Sequence, residues 1–161
     1  MPETAAQTLS VDPPQAIYHT RVDDKGRLKL PRDFETYLRQ FSEDPFFVTT
    51  LDERVARIYP KPTWLENARF FEACQEDVEA LEEVAFATRV YGAESPLDKD
   101  GRILIPPALR RKLGIENQPV WVGYFKGAVE IYSETVYQEL MQRASVNLKE
   151  KVKALRKLGL R

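Results

Sequence analysis

Two stretches of this chain match each other at a spacing of seventy-five positions: Asp23 to Pro31 reads DDKGRLKLP, and Asp98 to Pro107 reads DKDGRILIPP. Asp23 corresponds to Asp98, Gly26 to Gly101 and Arg27 to Arg102, while Leu28, Leu30 and Pro31 correspond to Ile103, Ile105 and Pro106. The correspondence resumes after a slip of two residues, with Ile58-Tyr59 and Thr63-Trp64 against Ile131-Tyr132 and Val136-Tyr137. A self-match this long means two structural units of one design.

The chemistry of one unit is readable. Apolar residues alternate on both sides of an Asp/Gly link, Ile17, Tyr18 and Val22 before it and Leu28 and Leu30 after it, which predicts a β-hairpin. Glycine accepts the positive φ of a tight turn, and aspartate bonds the turn's own backbone. The arginine after the glycine is then presented at the tip. Pro31 and Pro106-Pro107 end the second strand and open a helix. The first such helix spans Arg32 to Phe41; the second spans Ala108 to Leu113 and is closed by Gly114.

The same reading predicts strands at Phe46 to Thr50 and Val55 to Tyr59, then helices from Thr63 and from Glu76 to Thr88. Ala93 to Leu97 reads as a strand, edge-like because of Pro96, with Arg102 to Ile105 as its expected partner. Val120 to Phe125 and Ala128 to Tyr132 form a hairpin around Lys126-Gly127, and Ser133 caps a further helix. The last stretch, Asn147 to Arg161, is a basic helix with Leu148, Val152 and Leu155 on one face. The fold class is α+β. The divisions are a disordered tail at 1–15, a first unit at 16–62, a helical connector at 63–91, a second unit at 92–134 and C-terminal helices with a basic tail at 135–161.

Composition removes several classes of function. No apolar run approaches the roughly 20 residues of a membrane span, and the first residues lack a basic-then-apolar signal pattern. Cys74 is the single cysteine, which excludes an intrachain disulfide and fits a reducing cytoplasm. His19 is the single histidine, and no HExxH, CxxC or P-loop pattern occurs. Enzyme, metal and cofactor readings therefore find no support. His19 reads as a surface or packing residue and Cys74 as a helix-packing residue.

The formal net charge of −1 conceals segregation. Arg21, Lys25, Arg27, Lys29 and Arg32 gather at the first turn, and Lys99, Arg102, Arg110, Arg111 and Lys112 at the second, while the central helices are acidic. A hairpin tip can enter the major groove of DNA, where arginine reads guanine and lysine neutralises phosphate. For one such copy a solvated turn is the better reading; duplication at equivalent tips brings the two readings nearer parity. The basic C-terminal helix suits a solvated segment, a strut on a neighbouring subunit or an added grip on phosphate, and its lack of aromatics disfavours a membrane surface.

The doubled D-x-x-x-R turn, with the runs GRILIPPALRRKLGI, VWVGYFKGAVEIYSETVY and RIYPKPTW, resembles the MraZ family of bacterial transcriptional regulators across Tyr18 to Met141. The resemblance implies tandem pseudo-symmetric swapped-hairpin units of the SpoVT/AbrB-like β-barrel type with short peripheral helices, assembled as a homo-oligomeric ring. It implies a nucleoid-associated repressor binding double-stranded DNA at promoter repeats ahead of the division and cell-wall gene cluster. By position, its DNA-reading turns are Asp23, Lys25, Gly26 and Arg27, and Asp98, Lys99, Gly101 and Arg102, with Lys29 of the first basic cluster beside them. Three features depart from the family pattern: Pro14-Gln15-Ala16 in place of Phe-x-Gly, Asp100 where the first turn has Lys25, and the basic C-terminal helix. The alternative is a protein-interaction module, antitoxin-like or scaffold, on the same fold; two units and a basic tail favour DNA.

Overall fold

The computed structural model describes residues 11–41 and 44–161. Its elements run β1 (Tyr18–Arg21), β2 (Arg27–Lys29), α1 (Arg32–Arg39), β3 (Phe46–Thr50), β4 (Ala56–Tyr59), α2 (Lys61–Ala73), α3 (Val78–Tyr91), β5 (Ala93–Ser95), β6 (Arg102–Leu104), α4 (Pro107–Leu113), β7 (Pro119–Phe125), β8 (Ala128–Ser133), α5 (Glu134–Ser145) and α6 (Leu148–Arg156). The mixture is α+β, and every pairing between its strands is antiparallel. No helix among the described residues is long and apolar enough to cross a membrane.

Local chemistry explains most element boundaries. Pro31, Pro60 and Pro106 stand immediately before α1, α2 and α4, each with the extended φ/ψ of a residue entering a helix. Gly114 takes φ 65° past α4, so Gly114 N–H and Ile115 N–H reach back to the carbonyls of Arg111 and Arg110. Ser133 Oγ accepts the N–H of Val136 and caps α5. Lys126 and Gly127, at φ 48° and 89°, supply the double positive φ that joins β7 to β8 with matching twist.

The strand order is β1-β7-β8-β4-β3-β5 in a six-stranded sheet, with β2 and β6 forming a separate pair. By the internal repeat, β1 is equivalent to β5, β3 to β7 and β4 to β8. Exchanging these equivalents reverses the sheet order without altering it, so a pseudo-twofold axis runs between β8 and β4. The first strand of each unit thereby joins the other unit: β1 lies on β7, and β5 on β3.

This corrects the expected hairpins. β1 and β2 share one bridge, Val22 to Leu28, and β5 and β6 share one, Leu97 to Ile103. Beyond that bridge the two arms of each turn part and enter different sheets. Arg102 to Ile105 is therefore not the main partner of Ala93 to Leu97. Alternation marks a strand and its buried face, but it carries no information on a partner far away along the chain.

The core is common to both units. Val22, Leu28, Leu30, Phe34 and Leu38 from the first pack with Ile103, Ile105, Leu109 and Ile115 from the second. Equivalent aromatic stacks repeat on the outer flank: Trp64 on Phe47, with centroids 4.4 Å apart, and Tyr137 on Trp121 at 4.1 Å. Only the last residues of the expected 1–15 tail are described. Residues 1–10 lie outside the described residues, but Val11 is already held to Gln40 by two hydrogen bonds of 2.9 Å.

Candidate nucleic-acid interface

Each repeated turn is built around its first aspartate. Asp23 Oδ1 accepts the N–H groups of Lys25 and Arg27, both at 2.9 Å, while Gly26 N–H donates to the Asp23 carbonyl and Asp23 N–H to that of Arg27. The second turn repeats this bond for bond. Asp98 Oδ1 accepts from Asp100 and Arg102 at 2.9 Å, and Gly101 N–H donates to the Asp98 carbonyl. Burial alone would raise the Asp23 carboxyl, but the N–H groups of Arg27 and Lys25 and the Arg27 guanidinium together hold it below the ordinary carboxylate range. At Asp98 the same burial is outweighed by the Arg102 and Asp100 N–H groups and by the charges of Arg102 and Arg27.

Both glycines need positive φ, 82° at Gly26 and 76° at Gly101. Both are also covered by a side chain of the opposite unit. A Cβ on Gly26 would collide with the guanidinium of Arg110 in α4, and one on Gly101 with the carboxylate of Glu35 in α1. Glu35 and Arg110 occupy equivalent positions in the repeat, seventy-five residues apart. Arg39 completes the second cover, pairing with Glu35 at 3.4 Å and donating to the Asp98 carbonyl at 2.9 Å. Sequence reasoning missed these three positioning residues. The signal was present: the positions match while the charges are opposite.

β2 and β6 bring the turns onto one surface. Leu28 and Ile103 face each other in register and point inward, fully buried. Alternation then places Arg27, Lys29, Arg102 and Leu104 on the outward face of this ladder. Arg27 and Arg102 line one shallow groove with Lys25 and Asp98. Arg27 Nε bonds Asp23 Oδ2 at 3.0 Å, which fixes the guanidinium plane and leaves its Nη donors unengaged by that bond. Lys29 Nζ bonds the carbonyl of Asp100 and ties one turn to the other. Lys25 and Lys99 are exposed.

The structure thus gathers all nine sequence-derived residues around one pair of strands, but their chemical roles divide. Asp23, Asp98, Gly26 and Gly101 shape the turns. Arg27, Arg102, Lys25 and Lys99 carry charge towards solvent, and Lys29 bridges the turns. Each turn holds two aspartates, one lysine and one arginine, but the covers differ: the Arg110 guanidinium overlies the first turn and the Glu35 carboxylate, paired with Arg39, overlies the second. His19 lies against Trp121 at 4.6 Å on the outer edge of the sheet, and half-buried Cys74 ends α2. Among the described residues, no cluster of His, Cys, Asp or Glu is arranged to hold a metal ion.

Known proteins share this chain's pattern. A family model described as "MraZ protein, putative antitoxin-like" matches residues 92–158. The Transcriptional regulator MraZ of Koribacter versatilis is 30% identical over 122 residues, covering 75% of this chain and 83% of the relative. That of Acidobacterium capsulatum is 29% identical over 141 residues, covering 88% and 95%. That of Herpetosiphon aurantiacus is 33% identical over 127 residues, covering 77% and 83%.

Proposed function

The chain belongs to the MraZ family, and from that premise we propose that it is a DNA-binding transcriptional regulator that reads duplex DNA with the outward face of the β2–β6 ladder. The observation that carries this reading is the common placement of Arg27, Lys29 and Arg102, held by two aspartate-clamped turns. A bidentate arginine contact to guanine discriminates by about 1–3 kcal/mol, and lysines beside it neutralise phosphate. The relatives bear the name of transcriptional regulators, and a rigid tip with free guanidinium donors is what such a role requires.

In its finer form the proposal is a swapped-hairpin repressor, nucleoid-associated and assembled from several copies, that acts at direct repeats ahead of the division and cell-wall gene cluster. Single tips bind weakly; copies held on one rigid body reinforce one another through effective concentration. The crossed pairing of β1 with β7 and of β5 with β3 supports the swapped-hairpin description. Sequencing the DNA that co-purifies with the protein tests this reading. Enrichment of one repeated motif supports it, and recovery of random fragments at physiological salt rejects it.

A further inference from the structure

Two faces of the molecule are apolar, rimmed by charge and uncovered, and their chemistries match. The first is on α6. A nine-residue helix is marginal in water unless packing supports it, yet Leu148 and Leu155 are 53% and 51% exposed. With Val152 they form one stripe, flanked by Lys149, Lys151 and Arg156. Asn147, at φ 52°, turns this helix away from α5.

The second face is on α3. Its inner side carries Thr88, whose carbonyl accepts the Thr49 hydroxyl at 2.8 Å. On the outer side Phe86 and Val90, one turn apart, are 62% and 50% exposed. Glu79, Glu82 and Glu83 share that side. Among the described residues none of these glutamates, nor Lys149 or Arg156, belongs to an ion pair. One positive charge is present there, the Arg89 guanidinium, 5.9 Å from the Phe86 ring.

We propose that α6 of one copy docks on α3 of a second copy, Leu148, Val152 and Leu155 against Phe86 and Val90, with the lysines meeting the glutamates. Nucleic acid would satisfy the lysines of α6 but leave its leucines in water. A lipid surface would cover α6 and leave α3 bare. A second copy covers both faces at once and cancels both charges. Because the two patches differ, the contact is heterologous, and repeating it builds a ring where its rotation closes and a filament where it does not. The inference rests on the self-assembly in the proposed reading and is independent of its DNA contacts.

The test uses the full chain in a Cys74→Ser background, with Leu155→Cys and Phe86→Cys in separate chains that are mixed and mildly oxidised. The expected result is a disulfide-linked pair from the mixture that neither variant forms alone. In parallel, Glu82→Lys with Glu83→Lys should reduce the light-scattering mass towards that of one chain, and adding Lys149→Glu with Lys151→Glu should restore it. Circular dichroism verifies that each variant remains folded. Assembly that persists without the mixed disulfide overturns the docking and leaves self-assembly standing. A single-chain mass for the unaltered protein at micromolar concentration overturns both. Truncation before Asn147 that weakens DNA binding at unchanged mass makes the tail a phosphate grip and also overturns the docking.

Discussion

Asp23 and Asp98 serve the interface by accepting bonds from their own turns, with no need to touch DNA. Replacing Asp23 with Ala removes an acceptor for two N–H groups, a loss of about 1 kcal/mol by analogy with side-chain caps. Hydrogen exchange at the Lys25 and Arg27 amides should then accelerate while the core amides stay protected. The pH dependence follows from the lowered carboxyls of both turns. Their stabilisation is complete above the ordinary carboxylate range and is lost as pH falls through the depressed folded values, so the same amides should lose protection only in acid. Gly26→Ala meets both a positive φ and the Arg110 guanidinium, and strain of this kind costs about 1–3 kcal/mol. A lowered denaturation midpoint for Gly26→Ala checks it. Arg27 and Arg102 differ in kind: each Ala variant should melt within about 0.5 kcal/mol of the parent. Arg27→Ala should lose more DNA affinity, because the second turn lies under the Glu35 carboxylate and the first under the Arg110 guanidinium.

At the level of elements, the β2–β6 ladder joins the two turns through Leu28 and Ile103, each fully buried. Ile103→Ala should cost about 2–5 kcal/mol and should loosen the first turn as well as the second, seen as faster amide exchange at Arg27. What the sequence disclosed here follows from what is local. Turn residues, proline-started helices, the Gly114 and Ser133 caps and the Lys126-Gly127 hairpin all act within a few residues, and each was legible. Asp23, Gly26, Arg27 and their equivalents stood out as candidates because the turn was written twice, whereas Lys25, Lys29 and Lys99 stood out by local charge alone. Strand partners were not legible, since β1 and β5 leave their turns after one bridge and pair across the repeat. Glu35 and Arg110 left one trace, matched positions of opposite charge, and Arg39 none; that each covers a turn from the other unit is a contact no local pattern encodes.

For the whole molecule, the exchange of first strands makes the two units one folding body with one core. A chain of residues 92–161 alone would leave β5 without β3, β7 without β1 and the inward face of β6 without Leu28. It should lack a cooperative melting transition, which the full chain should show. The same interlocking makes the basic surface a joint product of both halves, so the proposed recognition belongs to neither turn alone. The Arg27→Ala/Arg102→Ala double variant strips that joint surface of both tip arginines, and fluorescence anisotropy on the enriched repeat, at fixed salt, reads the loss. Each lost contact is worth about 1–3 kcal/mol, or roughly 5- to 150-fold. The double variant, folded by its melting curve, should bind the repeat no better than random DNA; unaltered, sequence-selective binding by that folded variant would mean that the β2–β6 ladder does not read DNA.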